Sequence, residues 1–230
     1  MTPAFVLKFS KLIPKDLLID SNSSIIKDIM NFFSIDCSTD FSSLFVKIEN
    51  KTFSRVLQSD KSRIDLLMKE ILDFFEENNL KLDDVSQIFV NQGPGNFSGL
   101  RGSLAVAKGV SLSKNINLFG YDTFIWTCAN FFSKKDTIYC IIKVREKYFI
   151  KKFSENLSSS SIVKKVTKEE IIKKYDNKIK VIPKNLIKYF DKKILRLNNI
   201  NVENLDHNKL EFLKLNGLLN KDLIKPLYLT

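Results

Sequence analysis

Two periods of hydrophobic residues alternate along the chain, and each predicts a different kind of element. Short apolar runs bounded by polar turns predict strands, and they lie at 32–35, 44–48, 53–57, 88–90 and 118–121. Apolar residues that recur every three or four positions predict helices, and they lie at 62–78, 97–113 and 123–132. In this order, three strands form a meander and the later strands follow helices. The sequence therefore predicts an α/β fold, a mixed sheet with helical crossovers on its faces.

From residue 133 onward the periodicity is weaker, which predicts a small, divergent second lobe. A hairpin, two helices and one further strand are expected there, at 137–144 with 148–153, at 167–175 and 208–216, and at 178–182. The first of these helices carries Thr167 at its start and Glu170 three positions later, the spacing of a capping box. We therefore divide the chain into an extension of unknown role at 1–29, a first lobe at 30–132 and a second lobe at 133–230.

Composition narrows the cellular setting. Hydrophobic residues make up 44% of the chain, yet no apolar run approaches the roughly 20 residues that a membrane-spanning helix needs. The three cysteines, Cys37, Cys128 and Cys140, show neither metal-ligand nor redox spacing, and an odd number suits a reducing compartment. We therefore expect a cytoplasmic globular protein without a membrane partner.

The positive charge is large and unevenly distributed. The chain has 37 Lys and Arg against 26 Asp and Glu, a formal net charge of +11. The segment from Lys143 to Lys193 holds 16 basic and 6 acidic residues, which is a local balance of +10. Such a segment can bind RNA phosphates. A solvated surface rich in lysine is the alternative, because no aromatic RNA-binding motif lies among these lysines.

The glycine-rich stretch at 83–114 contains the strongest local signals. It holds five of the seven glycines, and Gly93 and Gly95 flank a proline in a turn directly before a helix. The first backbone N–H groups of a helix lack intrahelical partners, so such a turn can cradle a phosphate. A second turn, after the first strand, carries an aspartate and small hydroxyl residues that suit a phosphate or a hydrated metal. The candidate residues for a vestigial nucleotide or phosphate site are Asp36, Ser38, Thr39, Gly93, Gly95 and Asn96.

The helix that follows this turn also has a face of small residues. Its glycines and Val106 recur at steps of three and four residues, which lets another helix approach closely. Each interior glycine costs a helix about 1 kcal/mol relative to alanine, so repeated glycines suggest that close packing is worth more. The apolar stripe of the preceding helix extends this face, and packing on the protein's own sheet is the alternative use. The candidate partner interface comprises Ile64, Leu67, Met68, Ile71, Phe75, Gly99, Arg101, Gly102, Val106 and Gly109.

Residues suited to catalysis are sparse. His207 is the single histidine, and it lies in a polar stretch where we expect an exposed side chain without a catalytic role. No Ser-His-Asp or Cys-His arrangement can be proposed around it, and a metal-binding pair of histidines is absent from the sequence. The glycine-rich turn lacks both the Gly-Lys-Ser/Thr of a Walker motif and the dinucleotide fingerprint. We therefore predict no catalytic residues and no metal site.

One motif is specific enough to indicate a family. The sequence GPGNFSGLRGSLAVAKGV at 93–110, together with DCST at 36–39 and GYDT at 120–123, resembles the bacterial TsaB (YeaZ) family. The closing segment at 226–229 resembles that family as well. The resemblance covers the first lobe and is weak in most of the second. There, KVR at 143–145 stands where the family usually has Asp-Ala-Arg.

This resemblance implies a two-lobed fold of the actin, Hsp70 and sugar-kinase superfamily. It also implies a non-catalytic scaffold in the synthesis of threonylcarbamoyladenosine in tRNA, which pairs its helices with a TsaD-like enzyme. An ATPase like TsaE would dock on that pair, and tRNA would be bound through the complex. The isolated chain could form a homodimer. No cofactor is expected beyond weak or vestigial binding of ATP or ADP. Two alternatives stay open: a phosphotransferase or ATPase of the same fold, and a basic RNA-binding module.

Overall fold

The computed structural model describes residues 30–57, 66–158, 162–222 and 224–229. The predicted extension at 1–29 and the interface candidate Ile64 lie outside the described residues. Two five-stranded sheets form the body of the protein. Within the described ranges, no helix is both long and apolar enough to cross a membrane.

The first sheet combines a meander with parallel strands. Its strands are β1 (Phe32–Asp36), β2 (Ser43–Ile48), β3 (Lys51–Val56), β4 (Gln87–Asn91) and β5 (Asn117–Tyr121). Their spatial order is β3-β2-β1-β4-β5. The first three strands pair antiparallel, whereas β4 runs parallel to β1 and β5 parallel to β4. Parallel neighbours require crossovers, which α1 (Leu67–Glu77) and α2 (Phe97–Lys114) supply.

Each face of the first sheet packs against a different hydrophobic core, and the side chains of β1 are buried on both faces. Phe33 and Ile35 share a core with Ile71 of α1 and Leu104 of α2. Phe32 packs instead in a second core, which includes residues of the other sheet. The side-chain period of two along a strand produces this division. One core therefore lies in the first lobe except for Ile224, and the other joins the lobes.

The helix predicted after β5 is shorter than expected. It is α3 (Thr123–Thr127), and the chain continues from it as a 3-10 turn at Ala129–Phe131. Asp122 is the N-cap of α3, and its Oδ1 accepts a hydrogen bond from the Ile125 backbone N–H at 2.8 Å.

The second sheet has the order β10-β9-β6-β7-β8. Its strands are β6 (Ile138–Val144), β7 (Lys147–Phe153), β8 (Lys164–Val166), β9 (Ile179–Pro183) and β10 (Ile200–Glu203). Its helices are α4 (Lys168–Tyr175), α5 (Lys192–Leu195) and α6 (Asn208–Leu215). The hairpin, α4, β9 and α6 agree with the predicted elements, whereas β8, β10 and α5 were not predicted because their apolar runs are too short.

Local chemistry explains the start of α4. The Thr167 hydroxyl accepts a hydrogen bond from the Glu170 backbone N–H at 3.1 Å, and the Glu170 carboxylate accepts one from the Thr167 N–H at 3.0 Å. Two N–H groups that the helix leaves unpaired are thereby satisfied. The predicted capping box is confirmed.

One continuous core joins the two sheets. It includes Phe89 of β4 and Ile141 of β6, with Trp126 of α3 between the lobes. Trp126 Nε1 donates a hydrogen bond to the carbonyl oxygen of Asp206, ahead of α6, at 2.9 Å. The two sheets are therefore held together by buried side chains as well as by polar contacts.

Candidate functional site

The turn after β1 and the glycine-rich turn before α2 lie in direct contact. The Asn96 backbone N–H donates a hydrogen bond to the Ser38 carbonyl oxygen at 2.7 Å. A β-carbon at Gly95 would lie 1.9 Å from that oxygen, so only glycine lets the turns approach this closely. Gly93 has a φ of +104°, a conformation in which an L side chain is strained. The two turns bring the predicted phosphate-site residues together at one place.

A buried polar network lies beneath both turns. Asp36 Oδ1 accepts hydrogen bonds from the Ser38 backbone N–H at 2.9 Å and from Asn91 Nδ2 at 3.0 Å. Asn91 Nδ2 also lies 3.1 Å from both Ser38 Oγ and Thr123 Oγ1, and Asn91 Oδ1 accepts from the Gly93 N–H at 2.8 Å. Asp36, Ser38, Asn91 and Thr123 are each at most 2% exposed. The network therefore ties the ends of β1 and β4 to the start of α3.

Asn91 and Thr123 were not identified from the sequence, although a signal was present. Each is a polar residue at or just after the carboxyl end of a strand in the parallel part of the sheet. Such strand ends meet at one edge of an α/β sheet, where polar groups converge. A search of these strand ends would have found both residues.

The electrostatics of the network suit a structural role. Burial raises the pKa of Asp36 above its usual value of 3.8, although hydrogen bonds from Ser38 and Asn91 oppose the shift. Burial also raises the pKa of the Cys37 thiol to about 12, and the charge of Asp36 adds to the effect, so Cys37 stays protonated. Across the described ranges, no group of three or more His, Cys, Asp and Glu side chains is placed to hold a metal ion.

The start of α2 is capped by the protein's own side chain. Asn96 is the N-cap, and its Oδ1 accepts hydrogen bonds from the Ser98 backbone N–H at 3.2 Å and from the Ser98 hydroxyl at 3.1 Å. Thr39 Oγ1 is also used within its own turn, where it accepts from the Phe41 N–H at 3.2 Å. Side chains predicted to bind phosphate thus have internal hydrogen-bonding partners.

His207 lies at the junction of the lobes, and the prediction of an exposed surface histidine is wrong. Its ring stacks on Phe45 with centroids 5.0 Å apart and lies 4.8 Å from the ring of Trp126. Nδ1 is 2.9 Å from Ser34 Oγ, and Nε2 is 3.1 Å from Ser43 Oγ. Burial lowers the pKa of His207 to about 4, so the imidazole is neutral at pH 7. The polar residues next to His207 in the sequence predict an exposed side chain, and they give no sign of the aromatic contacts that the ring makes.

A cleft of about 430 Å³ opens beside His207 between the lobes. Trp126, Arg55 and Lys184 line it. Arg55 is already engaged, since it pairs with Glu77 and donates to the Glu70 carbonyl oxygen at 3.3 Å. The cleft therefore combines the exposed ring of Phe41 with the Lys184 cation, a combination that suits a small anionic ligand.

The predicted interface residues of α1 lie mainly in the core. Leu67, Ile71 and Phe75 are at most 3% exposed and pack on the first sheet. Their burial corrects the prediction that they face a partner, because the sheet needs an apolar cover on this side and α1 supplies it. Met68 is half-buried against the same core. Leu72, which is 49% exposed, lies on the outer surface of α1 instead.

The predicted interface residues of α2 divide between core and surface. Gly99 is buried, Gly102 and Val106 are half-buried, and Arg101 and Gly109 are exposed. A β-carbon at Gly109 would meet no atom within 4 Å. Packing within the described chain therefore does not require glycine at this position.

An exposed aromatic cluster lies at the beginning of α2. Phe97 is 49% exposed and stacks on Tyr228 with centroids 5.1 Å apart, and the Arg101 guanidinium lies 5.1 Å from the Phe97 centroid. Near the other end of α2, Leu112 is 84% exposed. We call the surface formed by Phe97, Arg101, Gly109 and Leu112 the outer side of α2. Aromatic residues and arginine are enriched among the residues that contribute most to protein binding.

Comparison with known sequences matches a family model and two curated relatives, all named for the threonylcarbamoyladenosine modification of tRNA. A family model described as TsaD, tRNA N6-adenosine threonylcarbamoyltransferase, matches residues 58–152. A TsaB protein of threonylcarbamoyladenosine biosynthesis from Buchnera aphidicola subsp. Schizaphis graminum is 26% identical over 175 residues, 74% of this chain and 83% of that protein. Its namesake from Buchnera aphidicola subsp. Baizongia pistaciae is 29% identical over 88 residues, 38% of this chain. That second alignment spans 40% of the relative's length.

Solved structures share the fold. The structure described as YeaZ from Pseudomonas aeruginosa matches with a TM-score of 0.63 at 14% identity, over 87% of this chain and 100% of that chain. Another, described as an uncharacterized protein with similarity to peptidase YEAZ from Pseudomonas aeruginosa, matches with a TM-score of 0.65 at the same identity and coverage. Together with the two mixed sheets and their flanking helices, these matches confirm the predicted fold of the actin, Hsp70 and sugar-kinase type.

Proposed function

Because the chain belongs to the TsaB (YeaZ) family, we propose that it serves the synthesis of threonylcarbamoyladenosine in tRNA as a non-catalytic subunit. In this proposal the chain binds a TsaD-like transferase through the outer side of α2 and activates it. An ATPase like TsaE joins the pair, and the complex binds tRNA in the cytoplasm. The isolated chain forms a homodimer through the same surface.

The main support for binding of a TsaD-like transferase is the open site at Gly109. Glycine in a helix interior costs about 1 kcal/mol relative to alanine, and no contact within the described chain requires it, since a β-carbon would meet nothing within 4 Å. A partner helix that approaches this point closely would explain why no side chain is present. Exposed Leu112 and the Phe97–Arg101 pair would lie at the rim of such a contact.

Two features of the paired turns support the non-catalytic assignment. The Ser38 carbonyl oxygen lies directly against Gly95, so the two turns are in direct contact. The Asp36 carboxyl is 2% exposed and is hydrogen-bonded by Ser38 and Asn91. These groups support the start of α2, and in this role they need no bound nucleotide.

The test uses Gly109→Asp with the full chain and its cognate TsaD-like protein. Because the site is open, the aspartate should leave the free chain folded, which its thermal unfolding would verify. We expect complex formation to weaken at least tenfold and tRNA modification by the reconstituted system to fall with it. The control is Leu215→Asp, which introduces the same charge at a 69% exposed side chain of α6. A folded Gly109→Asp chain that binds and supports modification as well as the control would contradict the proposal.

Weak nucleotide binding in the cleft beside His207 is the second candidate. Lys184 and the ring of Phe41, which is 40% exposed, line the cleft, and they suit a phosphate and a base. Calorimetry with ATP and magnesium would measure the affinity of the wild-type chain and of Lys184→Gln. Tight binding that is lost in the variant would favour an ATP-using enzyme over the scaffold, whereas a dissociation constant that the variant leaves unchanged would exclude this cleft.

A further inference from the structure

Four exposed cations lie at one corner of the second sheet. They are Arg145 in the turn between β6 and β7, Lys147 at the start of β7, and Lys164 and Lys165 on β8. Lys165 pairs in register with Phe149, two residues from Lys147. Lys147 and Lys165 therefore project from the same face of the sheet, because side chains alternate along a strand. We call these four residues the hairpin cation cluster.

The hairpin cation cluster has no acidic partner within the described chain. Some lysines elsewhere in the second lobe are paired: Lys151 Nζ lies 2.8 Å from Asp122, and Lys174 Nζ lies 2.9 Å from Glu170. For none of the four cluster residues does a carboxylate of the described chain lie within 4.0 Å. The positive charge of these residues is therefore not neutralised within the described chain.

Even the nearest acid in the sequence does not neutralise the cluster. Glu146 sits in the same turn as Arg145, but its carboxylate is 3.2 Å from Lys143 Nζ. The charge and side chain of the neighbouring Lys165 lower the pKa of Lys147, with smaller contributions from desolvation and, last, from the charge of Arg145, so Lys147 and Lys165 are close enough to repel one another. In the folded protein these positive charges lie close together without a neutralising negative charge. An external anion would supply that negative charge.

Protection of an exposed sheet edge explains only half of the cluster. Lysines on an edge strand prevent pairing with another chain, and β8 is an edge of the second sheet. Arg145 and Lys147, however, belong to the hairpin of β6 and β7, and β7 is an inner strand. Their proximity to Lys165 therefore needs a different reason.

We propose that the hairpin cation cluster binds the phosphate backbone of tRNA. Lys147 and Lys165, which project from one face, suit consecutive phosphates of a strand, whose binding is dominated by charge and releases counterions. The choice of tRNA over another polyanion rests on the proposed function. The cluster lies on the second sheet, apart from the outer side of α2, so tRNA and the TsaD-like enzyme can be bound together.

The test compares two charge-matched variants of the full chain, alone and in complex with the TsaD-like protein. Lys147→Gln/Lys165→Gln removes two charges from the cluster, and Lys51→Gln/Lys81→Gln removes two exposed charges from the first lobe. Binding of an unmodified tRNA transcript is followed by fluorescence anisotropy over a range of salt concentrations. We expect the cluster variant to bind about three- to tenfold more weakly at low salt, since it removes two exposed charges that would each pair with a phosphate. Its slope of log affinity against log salt should fall by about 1.5, since each phosphate contact contributes about 0.7–0.9.

The outcomes separate this proposal from the proposed function. Equal losses of tRNA affinity in the two variants, or none in either, would overturn the cluster as a binding site, even if the complex with the TsaD-like protein forms normally. Failure of the wild-type chain to form that complex would instead overturn the proposed function. Vesicles that contain anionic phospholipid provide a third arm, and vesicle binding that depends on the cluster while tRNA binding does not would replace tRNA by a membrane surface.

Discussion

Gly95 lies so close to Ser38 that a β-carbon on the glycine would be 1.9 Å from the Ser38 carbonyl oxygen. The hydrogen bond from the next N–H, that of Asn96, to the same oxygen is 2.7 Å long. The glycine-rich turn therefore contacts the turn after β1 directly, and the direction in which α2 leaves the sheet depends on this contact.

Gly95→Ala should destabilise the protein by about 2–3 kcal/mol, because a methyl group forced against backbone requires the chain to shift. Urea unfolding at pH 7 measures the change. A loss below about 0.5 kcal/mol, the range of ordinary surface substitutions, would show that the two turns separate without cost.

Gly109→Ala should have the opposite effect on the free chain. The new methyl group meets nothing within 4 Å, so the better helix propensity of alanine should stabilise the chain by about 1 kcal/mol. The same methyl group should weaken binding to the TsaD-like protein if the partner approaches the helix closely. Urea unfolding and a binding titration of one preparation test both effects, and a stabilised chain with unchanged affinity would mean that the partner does not require glycine here.

Stability should fall in mild acid because of His207. Its pKa is about 4 in the folded protein against an ordinary 6.5, so the unfolded chain binds more protons between these values. Stability is therefore lost as the pH falls from 6.5 towards 4, by up to about 3 kcal/mol. Asp36 acts in the opposite direction, because its pKa is raised on folding and its protonation favours the folded state.

The variant His207→Gln isolates this effect, because glutamine keeps hydrogen-bonding groups but does not titrate. Unfolding free energies at pH 7.5, 6 and 5 should decline less steeply in the variant than in the wild-type chain. Parallel curves would show that His207 is not the group responsible.

Lys180→Met should be strongly destabilising although it removes only one polar atom. Lys180 is fully buried, and its Nζ donates hydrogen bonds to the carbonyl oxygens of Tyr175, Asp176 and Lys178 at 2.6, 2.7 and 2.8 Å. These carbonyls lie at and beyond the end of α4, and methionine would leave them unpaired. We expect a loss of about 3 kcal/mol, measured by urea unfolding, against less than about 0.5 kcal/mol for the exposed control Lys173→Met. Equal effects of the two changes would contradict this account of Lys180.

Local patterns predicted most of the first lobe, since strands and helices there have clear periods. The same patterns could not say which side of a helix is covered. The apolar stripe of α1 predicts a surface for a partner, but Leu67, Ile71 and Phe75 cover the protein's own sheet. Periodicity identifies an apolar face of a helix. Which element covers that face depends on how distant segments pack together.

The sequence by itself determined the order of the main elements, the glycine-rich turn and the capping box at Thr167, because each depends on residues that are neighbours along the chain. Only the tertiary structure decided the environment of His207, which meets Ser34 across 173 positions of the chain. It also decided that Gly109 is open while Gly99 is buried, although both belong to one small-residue pattern. Contacts between distant segments form only when the sheets and helices pack, and no local pattern records them.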